Sequence, residues 1–185
     1  MSKRLESAAD RAFVPVQAAL DEGRIPGAAI GIVTAKGDNA VRWSGLAMLT
    51  PERVALDRDT YFDLASLTKV MVTVPEVLRL VEEGLVDLDD PLSRHLPELC
   101  ADDPNAVART ATLRQLLTHH AGVPPLEAIH RWPGDATALK ERVVRQAWPV
   151  GQKAYSDIGY ILLGLLVERL RGQTLADRPT GDGLT

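Results

Sequence analysis

Ser66 and Lys69 are the two residues whose types and spacing could do covalent chemistry. They are three positions apart at the start of an apolar segment, and residues three apart lie on the same face of a helix. A serine hydroxyl is a poor nucleophile until a neighbouring base takes its proton, and a desolvated lysine can share that task. The pair therefore indicates a nucleophilic serine, although Ser-x-x-Lys also recurs by chance and needs support from the rest of the chain.

The segment that follows this pair is apolar almost all round over residues 70–81, which is typical of a buried helix. Thr73, Pro75 and Glu76 fit a capping box with proline in the first turn, so the helix could restart there rather than run through. Gly84 is expected to end it.

The first third of the chain contains the only strand signal. The spacing of apolar residues predicts a helix over residues 4–21, which Pro15 should kink or locally break. Residues 28–34 and 40–48 are predicted to form two strands joined by a hairpin turn. Two strands alone rarely make a stable sheet, so this part is expected to need further strands.

These patterns divide the chain into four parts. Residues 1–65 are predicted to form the N-terminal part of an α/β lobe, with one helix and two strands. Residues 66–90 are predicted to form the nucleophile-bearing core helix. Residues 91–172 contain short helical segments punctuated by prolines and are interpreted as a helical lobe. Residues 173–185 are polar and turn-rich, and they are predicted to be a disordered tail.

The composition is that of an ordinary globular protein, with 45% hydrophobic and 25% charged residues among 185 and a formal charge of −4. Lysine and arginine are scattered, so nucleic-acid binding is not expected. Residues 160–171 are predicted to form an apolar helix, which contains Glu168 and Arg169 and is too short to span a bilayer. No apolar run follows the basic start, and Cys100 is the single cysteine, so we expect a cytoplasmic protein with no membrane association.

Two other groups of residues invite a metal interpretation, which the spacing does not favour. His119 and His120 are adjacent, so their side chains diverge on a helix, and no Cys/His/Asp cluster has ligand spacing. His119 is expected to make a structural hydrogen bond. The aspartates beside Pro91 are expected to be turn and capping residues: Asp87, Asp89 and Asp90. We therefore predict no metal and no cofactor.

A second motif, Tyr155-Ser156-Asp157, precedes the apolar helix. With the Ser66-Lys69 motif, it makes the chain resemble the serine β-lactamase and penicillin-binding-protein superfamily. The likeness is to its class C-like branch of β-lactamases, D-alanyl-D-alanine peptidases and carboxylesterases. The matching segments occur in the family's order: residues 62–69 (nucleophile motif), 78–91 (following helix and turn), 116–122 (Leu-Leu-Thr-His-Thr-Ser-Gly stretch) and 155–157 (Tyr-x-Asn motif).

The resemblance implies a fold and a set of roles. The fold is α+β and serine β-lactamase/DD-peptidase-like, with an antiparallel sheet, flanking helices and a helical lobe. Ser66 would be the acylated nucleophile, Lys69 would hold its proton network, and Tyr155 would act as a base toward Ser66 or as an acid toward the leaving group. A phenol titrates near pH 10, so a nearby ammonium is needed to make Tyr155 useful at neutral pH. A helix N-terminus under Ser66 would favour negative charge on the acyl oxygen.

The sequence departs from the family pattern in two places. Asp157 stands where the motif has asparagine and is interpreted as a substrate-binding position. A carboxylate there could pair with Lys69, raise its pKa and weaken it as a base. The family also continues into three more core strands and a Lys-Thr-Gly or His-x-Gly motif. Here residues 178–181, Arg-Pro-Thr-Gly, resemble that motif only superficially, because proline disfavours a central strand. The C-terminal strands of the sheet are therefore expected to be missing.

Three functions remain open at this stage. The first is a serine hydrolase that acts through an acyl-serine intermediate on a small-molecule ester, amide or β-lactam. The second is a catalytically incompetent, truncated fragment of such a hydrolase. The third is a binding or oligomerising module that pairs its exposed strand edge with another copy of the chain.

Overall fold

The computed structural model describes residues 3–177. The chain divides into two compact units, with the boundary between Asp63 and Leu64. The first unit contains the sheet, and the second contains the Ser66 and Tyr155 motifs.

The first unit consists of one helix and a small antiparallel sheet. Helix α1 spans Lys3–Asp21, and the strands are β1 (Gly27–Val33), β2 (Asn39–Met48) and β3 (Val54–Ala55), in the sheet order β1-β2-β3. The predicted helix and both predicted strands are confirmed. The third strand was not predicted, because two residues are too few to show the alternation that identifies a strand.

Helix α1 packs against the sheet through its apolar face. Leu5 and Ala9 of α1 form a buried cluster with Ala40 of β2. The predicted local break at Pro15 does not occur, since α1 is helical on both sides of it. Pro15 is exposed, so water can hydrate the carbonyl that its missing N–H leaves free.

The second unit is helical, as predicted for the region after residue 91. Its α-helices are α2 (Val74–Glu82), α3 (Val107–Thr110), α4 (Leu113–Leu117), α5 (Ala136–Arg145) and α6 (Asp157–Arg171). Short 3-10 turns occur at Leu92–Arg94, Ile129–Arg131 and Leu175–Asp177. The core forms around α6, where Leu162, Leu163 and Leu166 are fully buried together with Val77 and Leu80 of α2. Burial of these side chains supplies the main stabilisation of the unit.

The helix that follows Ser66 does not restart at Thr73, so the predicted capping box is wrong. Thr73 has helical dihedral angles and no side-chain capping bond. The chain instead winds through a π turn, Lys69–Thr73, and continues directly into α2. Proline removes an amide donor and its ring crowds the preceding turn, so a wider π turn before Pro75 lets the helix continue. Gly84 ends the helix with a positive φ of 70°, as predicted.

Helix α6 begins and ends with well-formed caps. The Ser156 hydroxyl accepts a hydrogen bond from the Gly159 amide at 3.0 Å, and Gly172 adopts the left-handed conformation at the other end. The predicted helix over residues 160–171 is thus confirmed and begins three residues earlier. Leu175 packs against the core, so order extends into the tail that was predicted to be disordered. Residues 178–185, including the Arg-Pro-Thr-Gly stretch, lie outside the described residues.

Among residues 3–177, no helix is both long enough and apolar enough to cross a membrane. The single cysteine, Cys100, is a buried free thiol.

Candidate active site

Ser66 lies directly before the first helical residue and is exposed to solvent. The next turn brings Lys69 back over it, and the Lys69 Nζ donates a hydrogen bond to the Ser66 Oγ at 3.2 Å. The predicted contact within the Ser-x-x-Lys motif is therefore present. The side chain of Lys69 is only 13% exposed, which limits how much water can compete for its ammonium protons.

The residue before the nucleophile has an unusual backbone conformation. Ala65 has a φ of 42°, a region that favours glycine. Its carbonyl accepts a hydrogen bond from the Thr68 amide, and the Leu64 carbonyl accepts one from the Leu67 amide. The tight turn sets Ser66 at the beginning of the helix, and such strained residues concentrate at functional sites.

Tyr155 completes the group that the sequence had assigned to catalysis. Interactions of its hydroxyl with Ser66 and Lys69 lower the pKa of Tyr155 below its usual range. The Lys69 Nζ lies 4.9 Å from the centre of the Tyr155 ring. The Tyr155 side chain is 52% exposed, so the group faces a surface that a substrate can reach.

Asp157 pairs with Lys69, as the sequence predicted. The Lys69 Nζ lies 2.6 Å from the Asp157 Oδ1. Burial lowers the pKa of Lys69, but the hydrogen bonds with Asp157 and Tyr155 outweigh burial, and the pKa is raised overall. The ammonium thus donates a hydrogen bond to Ser66 and forms an ion pair with Asp157. The electrostatic consequence is a lysine that holds its proton at neutral pH.

His119 belongs to this group as well, although the sequence predicted only a structural hydrogen bond for it. That bond is present, because the His119 Nδ1 accepts from the Ser156 amide at 2.9 Å. In addition, the His119 ring lies 4.3 Å from the Tyr155 ring and 5.0 Å from the Tyr160 ring. No group of three or more metal-ligating side chains occurs in the part of the chain that the structure describes.

Tyr160 is a second residue that sequence reasoning missed. Its hydroxyl donates a hydrogen bond to the Leu117 carbonyl at 2.9 Å, and the Lys69 Nζ lies 5.7 Å from its ring centre. The signal was available, because Tyr160 follows Asp157 by three residues and therefore lies on the same face of α6.

An open cavity of about 450 Å³ adjoins Lys69 and Asp157. Apolar side chains line it, together with the Lys140–Glu168 ion pair, whose charged atoms are 2.6 Å apart. Its lining residues include Thr68, Thr73, Ile161, Leu165 and Leu175. This cavity offers an apolar surface directly beside the paired charges.

Comparison with known proteins identifies the family. The sequence model of the Beta-lactamase family matches residues 13–178. The chain belongs to the Beta-lactamase family.

Two curated relatives and one solved structure illustrate the range of this family. Penicillin-binding protein 4 of Amycolatopsis lactamdurans is 32% identical over an alignment of 163 residues, which covers 84% of this chain and 41% of that protein. Lovastatin esterase of Penicillium rubens is 30% identical over 189 residues, covering 87% of this chain and 47% of that protein. The class C β-lactamase from Rhodobacter sphaeroides superposes with a TM-score of 0.66 at 29% identity, covering 92% of this chain and 46% of that one. The chain therefore spans less than half the length of these relatives.

Asp157 places a carboxylate at the third position of the motif in residues 155–157. The Tyr-x-Asn motif that these residues resemble would place an uncharged amide there. This carboxylate forms an ion pair with Lys69, and its hydrogen bond raises the Lys69 pKa.

Proposed function

We propose that this site transfers an acyl group from a small-molecule ester, amide or β-lactam to Ser66 and then to water. The observation that carries the proposal is the contact of one nucleophile with two proton-handling groups. The Ser66 hydroxyl lies 3.2 Å from the Lys69 ammonium, and its interaction with the Tyr155 hydroxyl lowers the Tyr155 pKa. Activation of a serine by an adjacent base is what acyl transfer at neutral pH requires.

The chemistry has two steps. In the first, the Ser66 Oγ attacks the substrate carbonyl carbon while its proton moves to Tyr155, and the bond from that carbon to the leaving alcohol or amine breaks as Tyr155 returns the proton to the leaving group. In the second, water attacks the acyl-serine ester and loses its proton to Tyr155. The Oγ then leaves with that proton, which regenerates the free serine.

The charges favour Tyr155 over Lys69 as the proton acceptor. Hydrogen bonds with Asp157 and Tyr155 raise the Lys69 pKa against the effect of burial, so the amine is charged at neutral pH. Hydrogen bonds with Ser66 and Lys69 lower the Tyr155 pKa. Lys69 then acts as the fixed positive charge that stabilises a phenolate, and no cofactor takes part.

The substrate is proposed as a class only. The relatives include a protein named as a penicillin-binding protein, one named as a lovastatin esterase and one named as a class C β-lactamase. All three names are consistent with attack on a carbonyl carbon. The cavity beside Lys69 and Asp157 offers an apolar surface for the substituent of the acyl group.

Labelling with an acylating probe tests the proposal. The chain is incubated with a fluorophosphonate or a penicillin, and the intact mass and peptide masses are measured. We expect one adduct per chain, located on Ser66, and none in Ser66→Ala. A folded chain that gains no mass at any pH would contradict the proposal and favour a catalytically incompetent fragment.

The free edge of β1 supports a second proposal, self-association. Within residues 3–177, β1 pairs with β2 on one side only, and an unpaired strand edge can template pairing with another chain. Light scattering should then give the mass of a dimer, whereas a monomer over the accessible concentration range would refute it.

We also propose a cytoplasmic location, because the single cysteine is a buried free thiol and reducing compartments keep thiols in this form. Cell fractionation with an antibody against the chain checks this, and recovery outside the cytoplasm would contradict it.

A further inference from the structure

His119 makes two contacts with the segment that contains Tyr155, one with its backbone and one with the Tyr155 ring. The His119 Nδ1 accepts the amide hydrogen of Ser156 at 2.9 Å, and the His119 ring contacts the neighbouring Tyr155 ring in a tilted arrangement, with the ring centres 4.3 Å apart. Ser156 is buried and also caps α6 through its hydroxyl. One imidazole therefore fixes both the backbone and the ring of the residue that handles the proton of Ser66.

The backbone of His119 suits this role. Its φ is 60°, in the left-handed region that histidine and asparagine adopt more readily than most residues. The His119 amide is bonded to the Leu116 carbonyl at 3.2 Å. The ring thus projects from the end of α4 toward Ser156 in a conformation set by the turn.

The hydrogen bond with Ser156 requires one protonation state. A backbone N–H only donates, so the Nδ1 must carry a lone pair, and the neutral ring then has its proton on Nε2. A protonated imidazole has donors at both nitrogens. Two donors would face each other at 2.9 Å, so this contact would break.

The surroundings of His119 favour the neutral ring. Burial and the charge of Lys69 lower the His119 pKa, and His120 lowers it as well. Asp157 raises it, but the pKa is lowered overall. The two neighbouring tyrosine rings, Tyr155 and Tyr160, lie 4.3 and 5.0 Å from the imidazole and carry no charge in their neutral forms.

We infer that His119 is a positioning residue for the proposed acylation, and that its neutral form holds Tyr155 against Ser66. The inference rests on the proposed function, in which Tyr155 takes the serine proton. Protonation of His119 releases the Ser156 amide and displaces Tyr155. Activity then requires two groups to lose a proton, namely the base and His119. The acid limb of the pH profile of kcat/KM therefore reflects both deprotonations.

The test compares the pH dependence of kcat/KM for an activated ester in wild type, His119→Asn and His119→Gln. The Asn Oδ1 occupies a position equivalent to Nδ1 and does not titrate, whereas the Gln oxygen lies one bond further from the backbone. Below the His119 pKa, wild-type kcat/KM should fall about 100-fold per pH unit, since each required deprotonation contributes a factor of ten. His119→Asn should fall about tenfold per unit over the same range.

His119→Gln is the matched control. It should lower kcat about 10- to 100-fold at neutral pH with KM nearly unchanged, because a misplaced catalytic group costs rate rather than binding. A tenfold slope in the wild type, or equal activity of His119→Gln and wild type, would overturn the inference.

Nuclear magnetic resonance separates this inference from the proposed function. In the wild type, the Ser156 amide and the Tyr155 ring signals should shift with the same midpoint as the His119 ring, whether or not the chain turns over a substrate. Signals that stay fixed while His119 titrates would overturn the positioning role. Absence of any Ser66 acylation, with coupled shifts intact, would overturn the proposed function alone.

Discussion

Replacement of Asp157 by asparagine is the sharpest perturbation of the charge arrangement at Ser66. It removes the carboxylate that lies 2.6 Å from the Lys69 Nζ and leaves a side chain of the same shape. Without it, the Lys69 pKa falls, because the hydrogen bond with Asp157 is the largest influence raising it. The Tyr155 pKa falls too, since the charge of Asp157 raises it. Tyr155, the proposed base, would then be available at lower pH.

The size of the effect follows from the exposure of the ion pair. The Asp157 side chain is 39% exposed, so solvent screens the pair and its worth is about 1 kcal/mol. Because 1.36 kcal/mol is a factor of ten in rate, Asp157→Asn should raise kcat/KM at pH 7 about fivefold. The acid limb of its pH profile should move to lower pH.

The assay is hydrolysis of an activated ester, followed from pH 5 to 10, with two control variants. Asp157→Ala removes the charge without adding an amide donor, and it should show the same displacement of the acid limb. Asp89→Asn makes the same carboxylate-to-amide change at an exposed ion pair with Arg114, outside the lining of the cavity beside Lys69, and should leave kcat/KM unchanged. An unchanged kcat/KM and an unmoved limb in Asp157→Asn would refute the reasoning.

Three further variants test the site and the fold that supports it. Tyr155→Phe should lower the rate of Ser66 acylation about 100-fold, the size of a lost general base; a loss below threefold would remove Tyr155 from proton transfer. Ser156→Ala removes the hydroxyl that caps α6 at 3.0 Å and should lower the free energy of unfolding in urea by about 1 kcal/mol; an unchanged value would show that the cap is dispensable. Hydrogen bonds from the Asp87 amide and His95 lower the pKa of buried Asp90 to about 2, so this carboxylate stabilises the fold fully above pH 4 and the stabilisation is lost as the pH falls toward 2. Asp90→Asn should therefore cost about 2 kcal/mol at pH 7 and nearly nothing at pH 2, and a cost independent of pH would contradict the linkage.

Local sequence patterns predicted the parts of the site that depend on neighbours along the chain. Ser66 and Lys69 are three residues apart, and helix geometry alone brings them together. The charge of Asp157 predicted its contact with Lys69, once the resemblance had placed Tyr155 and Asp157 in the same site. The cap and end of α6 follow from serine and glycine at Ser156 and Gly172.

The features that escaped prediction depend on residues far apart in the chain or on small differences in backbone geometry. His119 contacts Tyr155, which lies 36 positions further along the chain and beyond α5, and no periodicity predicts that contact. A π turn before Pro75 and a new helix capped by Thr73 are alternative ways to accommodate the amide donor that Pro75 lacks. Strand β3 has only two residues, so pairing with β2, rather than any propensity of its own, creates it.

Direct observation of the acyl-serine intermediate tests the central claim most closely. The chain is mixed with an activated ester, quenched in acid within milliseconds to seconds, and its intact mass is measured. The account predicts a transient mass increase equal to the acyl group, located on Ser66 and absent from Ser66→Ala. Hydrolysis of the ester by the folded chain with no such adduct, or with the adduct on another residue, would contradict it.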